Sequence, residues 1–233
     1  MLPQARPQKL VVLTGAGMSA ESGIETFRGA GGLWEGHRVE DVATPEAWSR
    51  NPDMVLRFYN ERRRKLLAVE PNPGHRILAK WEKRMDVQII TQNVDDLHER
   101  AGSQRVLHLH GELMKSRSCG PKEHVMTMSD WEMKRTDRCP DGYPLRPHIV
   151  WFGESVPFMV HAFPMVEQAD CVIVIGTSLQ VYPAAQLAFE AGPGVPVILI
   201  DPNAEELAVP GARLLSMTAS EGLEALDAHW FGA

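Results

Sequence analysis

Gln92, Asn93 and Asp95 stand directly after an apolar run at 86–90, and His110 follows a short way on. Amide and carboxylate side chains at a strand end can hold a ribose, a carboxamide or a water. An imidazole near them can serve as a general base around neutrality, since its unperturbed pKa is about 6.5. Plainer readings stay open for the same residues. Asn93 and Asp95 can form an Asx turn that caps a helix over 97–100, and His108 and His110 can be hydrogen-bonded structural histidines. Alternate residues of a strand point to opposite faces, so only one of these histidines can line a given cleft.

Two further groups suit phosphate and sugar. Gly15, Ala16, Gly17 and Ala20 follow the apolar run 10–13. Glycine lets the chain turn tightly and approach a ligand, and a helix starting near Ser19 would offer free amides to a pyrophosphate. Ala20 takes the place of the third glycine of a dinucleotide-binding turn. Gly176, Thr177 and Ser178 end another apolar run and offer hydroxyls and amides; a simple strand-to-helix turn is the alternative. Tyr59 and Arg62 lie i, i+3, on one face of a helix. A phenol beside a guanidinium makes a carboxylate receptor. The alternative is an exposed basic face, because Arg63, Arg64 and Lys65 extend the run.

The elements that must position these groups are legible as pattern. Residues 9–13, 86–90, 170–175 and 195–200 are short, rich in Val and Ile, and end in Gly, Thr, Asn or Asp. Helical patterns lie between them, which predicts an α/β doubly wound parallel sheet of Rossmann-like type. Ligands of such sheets gather at the carboxyl ends of the strands, where all the polar residues above fall. Residues 29–70 and 115–147 interrupt the alternation and read as a small insert. The expected organisation is one domain, with a large part over 1–28, 71–114 and 148–233 and a small part over 29–70 and 115–147.

The 233 residues can bury a substantial core, and 44% hydrophobic with 23% charged residues suits an ordinary globular protein. A formal charge of −6 argues against a general nucleic-acid binder. No apolar run approaches the roughly 20 residues of a membrane span. No secretory or transit pattern opens the chain, and the three cysteines are too few for a disulfide scaffold. The expected compartment is the cytoplasm; oligomeric state is not legible.

The string Gly15-Ala16-Gly17-Met18-Ser19-Ala20-Glu21-Ser22-Gly23-Ile24-Glu25-Thr26-Phe27-Arg28 resembles the signature of the sirtuins, the NAD-dependent protein lysine deacylases. So do Thr91-Gln92-Asn93-Val94-Asp95, His108-Leu109-His110-Gly111, Val181-Tyr182-Pro183-Ala184-Ala185 and His148-Ile149-Val150-Trp151-Phe152-Gly153-Glu154, in the right order. The resemblance runs from Val11 to about Ala219 and is closest to the class III, bacterial CobB-like members.

It implies that NAD is consumed as a co-substrate, giving nicotinamide, free lysine and O-acyl-ADP-ribose. His110 would be the base, with Asn93 and Asp95 positioning the carboxamide and an ordered water, and His108 structural. Gly15, Ala16, Gly17, Ala20, Thr26, Phe27, Arg28, Trp34, Gln92, Gly176, Thr177 and Ser178 would bind NAD. Asp201, Asn203 and Ala219 would meet its adenosine end, although relatives commonly hold the ribose with an asparagine where Asp201 stands. Tyr59 and Arg62 match the Tyr-x-x-Arg that reads the distal carboxylate of malonyl- or succinyl-lysine. Ala43 would leave room for that chain, and Ile149, Val150, Trp151, Phe152 and Gly153 would clamp the substrate. The partners implied are acyl-lysine proteins or peptides.

The cysteines depart from the pattern. Sirtuins usually hold a structural zinc with two C-x-x-C pairs, but Lys122 and Gly142 stand where second cysteines would follow Cys119 and Cys139. Four ligands are normally needed. The expectation is an insert folded by packing and hydrogen bonds, with Cys119, Cys139 and a histidine such as His124 as the remaining candidate ligands. Cys171 reads as a core residue. Two other classes remain: an NAD(P)-dependent dehydrogenase, which would want an acid some 20 positions past the glycines, near Glu40 and Asp41, and a non-catalytic nucleotide-binding module.

Overall fold

Nine strands appear in chain order in the computed structural model, which describes residues 2–3, 5–26, 34–207 and 209–232. They are β1 (Lys9–Thr14), β2 (Asp86–Thr91), β3 (Val106–His108), β4 (Gly111–Ser118), β5 (Val125–Thr127), β6 (Leu145–Ile149), β7 (Cys171–Ile175), β8 (Val197–Ile200) and β9 (Arg213–Leu215). Six of them form one parallel sheet in the order β3-β2-β1-β7-β8-β9. The expected α/β doubly wound sheet is therefore present. The short edge strands β3 and β9 were not anticipated, because three residues are too few to show a period.

The register aligns the strand ends. Thr14 pairs with Thr91 and with Ile175, Thr91 with His108, and Ile175 with Ile200. The order reverses between β1 and β7, and that switch point opens the crevice where such sheets bind ligands. Val11, Leu13, Val172 and Val174 point to one face, against Ala162 and Val166 of the helix Met159–Glu167. Leu10, Val12, Ile173 and Ile175 point to the other, against Leu78, Trp81, Leu223 and Leu226. Both faces are covered, which is why these strands read as unbroken apolar runs.

The other three strands form an antiparallel sheet, β5-β4-β6. This sheet spans the segment read from the sequence only as a small insert over 115–147, and its first strand begins earlier, at Gly111. Gly111 opens it with φ 83, and a Cβ there would run into the His148 carbonyl. The glycine after His110 is thus required by a turn and a close approach together. The helix Pro52–Leu67 packs Val55, Phe58, Tyr59 and Leu66 into a third core with Val42, Ala43 and Trp151. Asn51 caps it by accepting from the Met54 amide, with Pro52 in its first turn. Among the described residues no helix is long and apolar enough to cross a membrane.

Candidate active site

A cleft of about 600 Å³ opens along the aligned strand ends. Gly15, Ala16, Gly17, Ala20, Thr26, Trp34, Gln92, Asn93, Asp95, His110, Gly176, Thr177, Ser178, Asp201, Asn203 and Ala219 line it, as do Ala43, Tyr59, Arg62 and residues 149–153. Phe27 and Arg28 lie outside the described residues. A single concavity of ligand size thus gathers groups from across the chain.

The glycines are needed first by the protein itself. A Cβ on Gly15 would stand 2.7 Å from the Gly176 carbonyl oxygen, and one on Gly17 2.6 Å from the Gly176 Cα. Two loops therefore interlock backbone to backbone at the switch point, and Gly176 turns at φ 59. The helix expected near Ser19 is a single turn, Gly17–Ala20. The amides of Gly17, Met18 and Ser19 bond the carbonyls of Gly176, Gly15 and Ala16. The expectation that all of these amides stand free for a pyrophosphate is corrected by those bonds.

His110 is held from two sides. Its carbonyl accepts from the Val150 amide at 2.9 Å, and its Nδ1 lies 3.1 Å from the Gln92 carbonyl oxygen. A carbonyl can only accept, so Nδ1 carries the proton and Nε2 keeps its lone pair. Burial lowers the His110 pKa, against the pull of the Gln92 carbonyl. The imidazole is therefore neutral at pH 7 and able to take a proton.

His108 differs. Its Nδ1 is 3.0 Å from the Asn93 carbonyl and its Nε2 2.8 Å from a Glu99 carboxylate oxygen. Both partners only accept, so both nitrogens donate and the ring is cationic. Burial opposes that charge, but Glu99 outweighs it and the pKa is raised. His108 holds the Asn93 backbone from behind. Asn93 Nδ2 donates to the Ser19 hydroxyl at 3.1 Å, and that hydroxyl donates to Asp95 at 3.0 Å. The other Asp95 oxygen accepts from the Leu97 amide in an Asx turn, whereas the N-cap residue of the helix Leu97–Ala101 is Asp96, which makes no side-chain cap bond. Burial raises the Asp95 pKa, against the bonds from Leu97 and Ser19. Ser19 was not singled out from the sequence, although its place in the signature string was the available signal.

Gln92 donates to Thr177 Oγ1 at 3.1 Å and ties β2 to the loop after β7. Asp201 accepts from the Asn203 amide at 2.8 Å in an Asx turn. Glu21, also missed, accepts from the Thr218 hydroxyl and the Ser220 amide and joins the first loop to the last helix.

At the far end of the cleft the helix 52–67 presents Tyr59 and Arg62, 0% and 6% exposed. The exposed-face alternative fails for both Arg62 and Arg63. Arg63 is wholly buried and donates to the Trp131 carbonyl at 2.7 Å. Tyr59 Oη accepts from Trp151 Nε1 at 2.9 Å. Burial raises the Tyr59 pKa to about 12, so the phenol keeps its proton. Arg146 lies 3.4 Å over the Trp151 ring and donates to Glu154, which also accepts from the Trp151 amide. The Phe152 amide donates to the Ala43 carbonyl at 3.0 Å, so the 149–153 strip closes against the helical insert.

The donors of the insert do not fit a structural zinc. His124 is bonded to Asp141 at 2.9 Å, and Lys122 reaches the same carboxylate. Cys139 accepts from the Ser118 hydroxyl. Among the described residues no three His, Cys, Asp or Glu side chains converge on a metal position, so His124 does not complete a set with Cys119 and Cys139. Glu40 and Asp41 lie in the short helix Val39–Val42 rather than at a strand end, which removes the acid that a dehydrogenase reading requires.

The Sir2 family model matches residues 15–183. An NAD-dependent protein deacylase of Aggregatibacter actinomycetemcomitans is 57% identical over 194 residues, 83% of this chain and 92% of that protein. One of Bacteroides thetaiotaomicron is 52% identical over 225 residues, 94% of this chain and 96% of that one. Among solved structures, a Sir2 homologue mutant with ADP ribose superposes at a TM-score of 0.89, with 40% identity over 96% of this chain and 92% of that one. A Sir2 homologue–NAD complex gives 0.87, with 39% identity over 97% and 90%. The chain belongs to the Sir2 family.

Proposed function

We propose that this protein is an NAD-dependent protein-lysine deacylase that accepts succinyl- and malonyl-lysine as well as acetyl-lysine. The observation that carries the reading is one continuous cleft with interlocked glycine loops, a neutral His110 and a buried Tyr59–Arg62 pair. NAD supplies the nicotinamide–ribose bond whose cleavage drives transfer of the acyl group to ADP-ribose.

The chain's own residues do the rest. His110 takes a proton from the ribose through Nε2, its other nitrogen being committed to Gln92. Asn93 and Asp95, braced by Ser19, position the carboxamide and a water. Ser178 meets ribose and phosphate, Asp201, Asn203 and Ala219 meet the adenosine end, Phe27 shields the reactive sugar carbon and Arg28 orders the cofactor loop. Residues 149–153 bind the acyl-lysine stem, with Ala43 leaving space. Tyr59 and Arg62 donate charge-assisted bonds to the terminal carboxylate. Holding both reactants in near-attack geometry is the main task of such a site. The partners are acyl-lysine proteins or peptides rather than nucleic acid, and the compartment is the cytoplasm. The small part over 29–70 and 115–147 serves the large part as the acyl and peptide side of one catalytic domain.

The test is turnover of matched acetyl-, malonyl- and succinyl-lysine peptides with NAD. Nicotinamide release that requires acyl-peptide supports the reading. Absorbance of reduced cofactor, or NAD binding without turnover, would replace it with the dehydrogenase or the binding module.

A further inference from the structure

Arg62 stands between two cavities. Its pocket side, with Tyr59 and Trp34, faces the main cleft; behind it lies a cavity of about 250 Å³ that Glu35, Lys65 and Asp95 also line. Glu35 reaches Arg62 from that rear side. One carboxylate oxygen accepts from Arg62 Nη1 at 2.9 Å and the other from Lys65 Nζ at 2.7 Å. The Glu35 side chain is 10% exposed, Arg62 6% and Lys65 50%.

The backbone is shaped for this reach. Trp34 and His37 exchange both amide bonds, and Glu35 and Gly36 between them turn at φ 48 and 79. This is a two-residue hairpin of the type that wants Asn-Gly. A glutamate in left-handed backbone is uncommon and is sustained only where its surroundings hold it. The two cations supply that hold. Arg62 also lies 4.2 Å from the Trp34 ring, and its Nε has no hydrogen-bond partner among the described residues. A buried guanidinium thus has one nitrogen committed to Glu35 and another unpaired.

Resting on the acyl-carboxylate reading of Tyr59 and Arg62, we propose that Glu35 is the internal counter-ion of Arg62 and sets the balance between neutral and carboxylated acyl groups. An acetyl group in the pocket brings no charge, and without Glu35 it would leave a guanidinium only 6% exposed with no counter-charge, which is strongly unfavourable. With Glu35 behind it, the guanidinium is paired whichever acyl group arrives. The same carboxylate weakens the pull on an incoming succinyl carboxylate. Lys65 moderates Glu35 in turn by sharing its charge.

The experiment measures kcat and KM for succinyl- and acetyl-lysine peptides in the full chain and in three variants. Glu35→Gln keeps the shape and an acceptor for Arg62 but removes the charge. It is expected to raise the succinyl-to-acetyl ratio of kcat/KM by about tenfold, from the Coulomb scale of a partly buried pair. The change falls in KM, because Glu35 acts through Arg62, which meets the acyl carboxylate and not the bond that breaks. Lys65→Met frees Glu35 for Arg62 and moves the ratio several-fold the other way. Opposite signs cannot come from general loosening of the fold. Arg62→Met separates the two layers. If it removes succinyl preference while Glu35→Gln and Lys65→Met leave the ratio at the unmutated value, the role of Glu35 is overturned and the carboxylate reading stands. If Arg62→Met shows no selective loss, the carboxylate reading itself fails, and the counter-ion role with it. Should Glu35→Gln fail to fold, the Lys65→Met shift decides alone.

Discussion

Trp151 Nε1 donates to Tyr59 Oη at 2.9 Å with both side chains buried, and the direction of that bond fixes what the phenol can do. An indole N–H only donates, so the oxygen accepts and its own proton must go elsewhere. Among the described residues nothing takes that proton. Trp151, from the 149–153 strip, thereby leaves Tyr59 as a donor toward the cleft beside Arg62. Tyr59→Phe is expected to leave the indole N–H unsatisfied and to cost about 1–3 kcal/mol of stability. It should raise KM for succinyl-lysine while sparing acetyl-lysine. Denaturant unfolding together with the two-peptide comparison measures both effects.

Arg62→Met removes the cation while keeping much of its bulk. A charge-assisted hydrogen bond contributes about 1.5–3 kcal/mol, so desuccinylation should fall about 10- to 150-fold more than deacetylation. Equal losses in kcat/KM for the two peptides would show that the guanidinium does not read the carboxylate.

His110→Ala should lose about 100- to 10,000-fold in turnover, the usual share of a general base, with NAD binding retained by calorimetry. In the proposed role of base the working form is the neutral ring, and burial lowers its pKa. The acid limb of kcat/KM is therefore expected below pH 6.5, with activity rising as pH passes the folded value. A limb at 7 or above would remove His110 from the role.

His75 packs edge-on to His98 with ring centroids 4.8 Å apart, and its Nε2 has no partner among the described residues. Burial lowers its pKa from 6.5 to about 4. In that window the unfolded chain binds the proton and the folded chain does not. The neutral ring's contribution is whole above pH 6.5 and is lost as pH falls toward 4, about 3 kcal/mol at most. His108, with its raised pKa, acts in the opposite sense, so the comparison must be between variants. His75→Gln keeps the capping-box geometry with Asn72 and should flatten the loss of stability between pH 6.5 and 4. Urea midpoints across that range would reveal an unchanged slope.

A chelator is expected to leave activity and melting temperature unchanged, because His124 and Lys122 are engaged with Asp141 and the insert packs on Leu56, Met133, Cys139 and Leu145. Elemental analysis showing one tightly held zinc per chain would contradict this.

Much of the site was legible because motif and strand end coincide. Gln92, Asn93 and Asp95 follow β2, Gly176 follows β7, and hydrophobic runs of strand length name the sheet that must gather them. The edge strands β3 and β9 and the antiparallel sheet were not legible, since three-residue strands and a polar insert carry no usable period. Ser19 and Glu35 were missed for a different reason. A lone serine or glutamate has many possible partners, and spacing along the chain does not choose among them.

The amino-acid sequence by itself determined the parallel sheet, the order of its motifs and the types of group available at its carboxyl edge. Those depend on local periodicity and on which residues tolerate tight turns. Only the tertiary structure decided that Arg62 and Arg63 are buried rather than solvated, that Gly15 and Gly17 are required by Gly176, and that His110 is neutral while His108 is charged. Burial, close backbone approach and the acceptor opposite each ring nitrogen are properties of contacts between distant segments, and they set charge state only once those segments meet.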